Sequence, residues 1–378
     1  MMSIAKPVPL TDKYERNHPL AIAMWDFSWL ERRWPGAGYE DWDRTLDELA
    51  ERGYDAVRID AYPHLVAAGP QDEWNLLPPW RYHDWGSPVP ITVRRILPHL
   101  LDFIEKCASR KILVALSTWF QDDTTHRRTP LASPGAHAHV WIETLQAIER
   151  AGLLSQIYYV DFCNEWPLKV WAPFFHDGKQ SEDWRTEKSL RWMKESIARF
   201  KAIYPHIPCT FSLTTNLEQE SLSNVCVDFL DFLEPHRWLS QATDFSDRLT
   251  CGVPVPAEEH YEKIVPRALL LYRSDEEYWK RRFQVELDAL AHWGASACRP
   301  LVTTEGWCMV EYKDWPGLEW GWIKDFNAWT VDYCAATGRW AALCTSNFCG
   351  PQFRGMWNDV AWHQARTQVI HNSKLPPS

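Results

Sequence analysis

The chain has 378 residues, 46% of them hydrophobic and 24% charged, and its 40 Lys and Arg against 50 Asp and Glu leave a formal net charge of −10. That apolar content excludes a disordered chain, and an acidic balance without a basic block argues against nucleic acid or an anionic membrane as partner. The 24 tryptophans exceed the 15 Phe and 13 Tyr; because a buried indole N–H must find an acceptor, either the core is Trp-rich or indoles line a site.

Residues 21–25 (AIAMW) read as a first strand. Residues 40–53 follow as a helix, with Trp42, Leu46, Leu49 and Ala50 on one face and Gly53 as its stop. Residues 54–61 (YDAVRIDA) are the second strand. Residues 93–110 are the second helix, with Pro98 in the first turn, where a missing N–H costs little. Strand and helix then alternate: 111–119 with 138–152, 156–163 with 181–204, then 208–215 with only a short segment after it. The pattern continues as 225–233 with 275–293, 300–304 with 321–338, and 340–346 with 356–372.

Eight such units predict an α/β fold, a (β/α)8 TIM barrel formed as a single domain over 1–378, with its core over about 21–372. An open doubly wound sheet would want a Gly-rich turn after the first strand, and residues 24–28 (MWDFS) hold none. Long βα loops at 62–92, 120–137, 166–180 and 236–274 would stand on the C-terminal face, and those after strands two, four and six would wall off one end of a site. The first twenty residues show no apolar leader segment, which predicts a cytoplasmic protein. The ten cysteines form no CxxC and are expected to be buried, reduced thiols.

Two carboxylates fall at strand ends: Asn164-Glu165-Trp166 closes strand four and Glu305-Gly306-Trp307 closes strand seven. Strand two carries Arg58, His236 follows strand six, and Asn347 follows strand eight. In these residues the chain resembles the large clan of retaining glycoside hydrolases with (β/α)8 barrels, which includes cellulase-like, β-mannanase-like and β-galactosidase-like enzymes. The resemblance implies that Glu305 is the nucleophile and Glu165 the acid/base. It also implies that Asn164 binds the sugar 2-hydroxyl, that Arg58 supports the nucleophile and that His236 is the strand-six histidine. The chain departs from the clan at Trp238, where a Tyr is usual, at Asn347 and Phe348, where a Trp is common, and at Ser117-Thr118-Trp119, where a His is usual.

The chemistry itself needs one protonated and one ionised carboxyl group. Trp166 beside Glu165 would hold its proton in an apolar setting, and Arg58 would keep Glu305 ionised. A separation of about 5–5.5 Å would favour retention. Trp119, Trp166 and Trp307 are candidate sugar platforms, along with Trp25, Trp29 and Trp357 near strand ends. Trp42, Trp141, Trp192, Trp279, Trp293, Trp329 and Trp362 fit helical packing faces. Asp26 and Asp60 read as loop caps rather than sugar ligands, and the His137-x-His139 pair as packing rather than a metal site. The expected substrate is a β-linked oligosaccharide or small β-glycoside, with no cofactor and no metal. Three alternatives stay open: a transglycosidase of the same mechanism, a non-catalytic carbohydrate-binding barrel, and a metal-dependent barrel hydrolase.

Overall fold

A computed structural model of the chain describes residues 7–69, 73–79, 90–178, 182–222, 225–250, 265–310, 312, 314 and 318–377. The first four strands are unbroken: β1 (Leu20–Asp26), β2 (Ala56–Asp60), β3 (Leu113–Ser117) and β4 (Ile157–Asp161). Three are each made of two short pieces. These are β5 (Cys209–Thr210 and Ser212–Leu213), β6 (Glu234–Pro235 and Arg237–Trp238) and β7 (Leu301–Thr303 and Gly306–Trp307). The last is β8 (Trp340–Leu343). Neighbours pair in parallel around the ring, as Ala56↔Leu113, Ser212↔Glu234 and Arg237↔Gly306 illustrate, and Leu20↔Ala342 joins β8 back to β1. The fold is a (β/α)8 barrel.

The helical layer comprises α1 (Trp42–Glu51), α2 (Ile96–Ser109), α3 (Pro134–Arg150), α4 (Glu187–Lys201), the single turn α5 (Gln219–Leu222), α6 (Glu276–Ser296), α7 (Gly321–Thr337) and α8 (Val360–His371). Capping chemistry fixes where several of them start. Ser133 accepts from Ala136 N with Pro134 in the first turn, so α3 begins four residues before its expected start. Thr186 accepts from Ser189 N and delays α4 to Glu187. Gly338, at φ 63°, ends α7 in the left-handed conformation that a glycine adopts without a Cβ clash.

Two expectations shift. Val93 belongs not to α2 but to a hairpin of Glu73–Leu76 with Ile91–Arg94, standing in the β2 loop. Residues 225–233 are not a strand. Asp231 there accepts from Cys209 N at 2.8 Å and Val8 N at 2.7 Å, a side-chain alternative to ladder pairing. The sixth strand follows at Glu234–Trp238. Parts of the expected loops, residues 70–72, 80–89, 179–181 and 251–264, lie outside the described residues.

Side chains alternate across each strand. Val57, Ile59, Val114, Leu116 and Val160 face the helices and join the large outer core. Leu20, Ile22, Ala56, Leu113, Ala115, Tyr159, Val302 and Ala342 belong to a separate apolar cluster, which fills the barrel axis. Of the nine described cysteines, all are free and only Cys226 and Cys298 are exposed. Among the described residues, no helix is long and apolar enough to cross a membrane.

Candidate active site

Followed along the strands, the axial positions change from apolar to polar toward the C-terminal end. Ala56 gives way to Arg58, Ala115 to Ser117, and Tyr159 to Asp161. A cation fully withdrawn from water needs partners, and Arg58 has several. Its Nη1 donates to Glu305 Oε1 at 2.9 Å. Its Nη2 donates to Asp161 Oδ2 at 2.6 Å, Asn164 Oδ1 at 2.8 Å and Ser117 Oγ at 2.9 Å. Glu234 Oε1 lies 3.3 Å from Nε, and the guanidinium stacks 4.7 Å from the Trp119 ring centroid. Arg58, Asp161 and Glu234 are wholly buried. Glu234 is held below the usual carboxylate range: burial alone would raise it, and the charges of Arg58 and His236 outweigh that.

Glu165 leaves β4 at φ 50°, a backbone conformation uncommon outside glycine. Its N–H donates to Ser212 Oγ at 2.9 Å, and the next N–H, of Trp166, donates to Ser212 O at 2.8 Å. These bonds pin the turn that brings the side chain over the barrel mouth. Strained positions of this kind cluster at functional sites. Asp26, Tyr62 and Phe120, at the ends of β1, β2 and β3, also have positive φ.

His236 lies between the two glutamates. Its Nδ1 is 3.4 Å from Glu165 Oε1 and 3.7 Å from Glu305 Oε1. A carboxylate oxygen of each glutamate and a His236 ring nitrogen all lie within 4.8 Å of one another. Burial opposes the charge on His236, but Glu305, Glu165 and Glu234 outweigh it and push the imidazole up to about 9. Burial pushes Glu305 up to about 7; the charge of Glu165 adds to the rise, while His236 and Arg58 oppose it. Arg58 favours the ionised form of Glu305, as expected, but desolvation outweighs it.

A cavity of about 570 Å³ opens over this pair, within the usual range for small-ligand sites. Glu165, Glu305, Asn164 and Trp119 line it. Trp166 and Trp307 do not. Trp166 stacks with Trp192 in the helix-facing layer and donates to Ser189 Oγ at 2.8 Å. Trp307 donates to Cys344 O at 3.2 Å and is wholly buried. Proximity in sequence misplaces Trp166, because the side chain next to an inward-facing residue points to the other face. The indoles on the cavity are instead Trp171 and Trp238, and β6 register places the second. Asn347 is buried with neither amide atom hydrogen-bonded, and it does not line the cavity.

The remaining candidates are structural. Asp26 accepts from Ser28 N, and Asp60 accepts from Tyr62 N at 2.7 Å and Trp119 N at 3.0 Å, so both are turn caps. His137 is buried, bonded to Phe162 O and to the Trp192 indole, whereas His139 faces solvent near Glu143. Asp161 and Glu234 were missed in the sequence, although both stand at strand ends in phase with inward residues.

The profile of a family described as sugar-binding cellulase-like matches residues 22–371. A crystal structure of a "putative glycoside hydrolase" from Parabacteroides distasonis is 44% identical, with TM-score 0.90, covering 95% of each chain. An endocellulase from Pyrococcus horikoshii bound to cellotetraose shares the fold at 12% identity and TM-score 0.50, over 93% of this chain and 92% of that one. An endo-β-1,4-mannanase from Thermotoga petrophila does so at 9% identity and TM-score 0.50, over 95% and 78%. No curated protein matches the chain.

Proposed function

The chain belongs to the sugar-binding cellulase-like family and is a glycoside hydrolase, and from that premise we propose that it cleaves β-glycosides with retention, through Glu305 and Glu165. The observation that carries this reading is that one carboxylate oxygen of Glu165 and one of Glu305 lie within 4.8 Å of each other. Retaining enzymes hold theirs at about 5–5.5 Å, whereas inversion needs about 6.5–9.5 Å to admit a water.

Arg58 and His236 both lie against Glu305 Oε1, which leaves Oε2 to attack the anomeric carbon. Glu165 protonates the departing glycosidic oxygen, and the C–O bond breaks as the glycosyl–Glu305 ester forms. Loss of the Glu165 charge removes the repulsion that raises Glu305, so protonation of one carboxyl favours ionisation of the other. Glu165 then takes a proton from water, which attacks the ester and releases the sugar. Asn164 gives its oxygen to Arg58, so its NH₂ remains as a donor for a sugar hydroxyl.

On an aryl β-glycoside, NMR is expected to show the β-anomer as the first product; an α-anomer first would overturn retention. Glu165→Gln is expected to lose about 10²- to 10⁴-fold in kcat, least with the best leaving groups, and azide is expected to restore turnover as the β-glycosyl azide. Without azide rescue the acid/base assignment fails. A sugar acceptor in place of water would give the transglycosidase reading, visible as longer products.

Glu305, His236 and Glu165 could instead chelate a metal ion. Against that reading, Glu305 Oε1 already accepts from Arg58 Nη1 at 2.9 Å, so a metal ion there would face a buried guanidinium at the same carboxylate. Activity lost to a chelator would favour it.

The pH profile tests the electrostatics. kcat/KM is expected to fall on the acid side as Glu305 takes up a proton, with an apparent pKa below about 7, because the Glu165 charge that helps raise Glu305 is absent once Glu165 holds the catalytic proton. His236→Gln removes a charge that lowers Glu305, so this limb should move to higher pH. A limb that stays in place or moves down would show that His236 does not tune Glu305.

A further inference from the structure

We propose that the enzyme acts from the non-reducing end of β-linked oligosaccharides, removing one sugar at a time; the proposal rests on the retaining reading above. The argument is the asymmetry of the barrel mouth. Around β1, β2, β3 and β8, every residue of 26–31, 60–66, 117–121 and 341–351 is buried. Phe27 packs on Trp119, and Phe348 packs on Tyr312 and Trp320. Trp29 and Tyr62 are wholly buried with their polar atoms bonded inside the protein. Among the described residues, Trp119 is the sole contribution of these four strand ends to the cavity.

Among the described residues, the other half is open. The cavity runs from the glutamates across the ends of β4, β5 and β6, where Lys169, Thr215, Glu218 and Gln241 are exposed. In a retaining step the proton donor sits at the leaving oxygen. Glu165 is on β4, so the leaving group departs toward β4–β6. The sugar that is attacked must lie against the packed half. A chain extending past it would have to displace the buried aromatic layer. The open half admits more than one leaving sugar, while the closed half ends at the first.

The open half also offers faces for the leaving sugars. Trp171 and Trp238 offer apolar ring faces to sugar C–H groups.

The test uses the full chain with β-1,4-linked gluco- and manno-tetrasaccharides carrying a fluorescent label at the reducing end. The first labelled product is expected to be the trisaccharide, formed at least about tenfold faster than the labelled disaccharide. In parallel, a 2-fluoro-glycoside is expected to leave a covalent adduct on Glu305. Labelled disaccharide or monosaccharide first, with the adduct present, overturns the proposal and spares the retaining mechanism. Turnover of aryl β-glycosides alone, with neither tetrasaccharide cleaved, overturns the substrate class in the same way. Absence of adduct and of all glycoside turnover overturns both.

Discussion

Glu305→Gln is expected to lower kcat on every hydrolysed glycoside by on the order of 10⁴-fold or more, the scale seen when a covalent catalyst loses its nucleophile. The amide keeps the shape of the side chain, and its oxygen can still accept from Arg58 Nη1. It cannot form the glycosyl ester. The same substitution is expected to leave stability unchanged or raise it at pH 8. Burial pushes Glu305 up to about 7, above the ordinary glutamate value, so the folded state holds that proton more tightly than the unfolded chain does. Stability from this group is therefore lost as pH rises from the unfolded value through about 7, and the uncharged amide avoids the loss. Lower activity with an equal or higher melting temperature would be the mark of a carboxylate kept for chemistry rather than for folding. Turnover within tenfold of the unaltered enzyme would remove Glu305 from the nucleophile role.

The barrel and the central charged residues were legible because strands and helices impose different periods and because strand ends mark the mouth. Glu165, Glu305, Arg58, Asn164 and His236 all converge, and each could be located by asking what closes a strand. The indoles could not be located that way. Trp166 follows an outward turn and packs with Trp192, while Trp171 reaches the cavity from a loop that no periodicity describes. The sixth strand was misplaced because residues 225–233 (VCVDFLDFL) have strand composition. Asp231 spends that segment's register on capping backbone N–H groups, and the true strand carries Glu234, whose charge meets Arg58 across the barrel, and Arg237, which pairs with Glu218 and with Glu286 on α6. Long-range pairing of this kind has no local signature.

Arg58→Met is expected to destabilise the fold by about 3–5 kcal/mol, the usual loss when one partner of a buried ionic group is removed. The guanidinium bridges strands β2, β4, β6 and β7 through Asp161, Glu234 and Glu305, and no other cation lies as close to all three in the described structure. Met restores volume but leaves the carboxylates without it. The pH dependence should then invert. In the unaltered protein Arg58 holds Glu234 below the ordinary glutamate range, so that contribution is present at neutral pH and lost as pH falls through the lowered value. Without Arg58, burial raises Glu234 and raises Glu305 further, and stability is lost as pH rises. The gap between the two proteins in urea unfolding should therefore be wider at pH 8 than at pH 5. Arg58→Lys should recover only part of it, since one ammonium cannot reproduce a planar fork that reaches four acceptors. A loss below about 1 kcal/mol, the range of an exposed ion pair, or a gap that widens toward pH 5, would mean that the hub does not hold the barrel mouth together. The expected result ties the two halves of the molecule's chemistry to one side chain: the residue that lets three carboxylates be buried also holds the proposed nucleophile by Oε1 and leaves Oε2 to react.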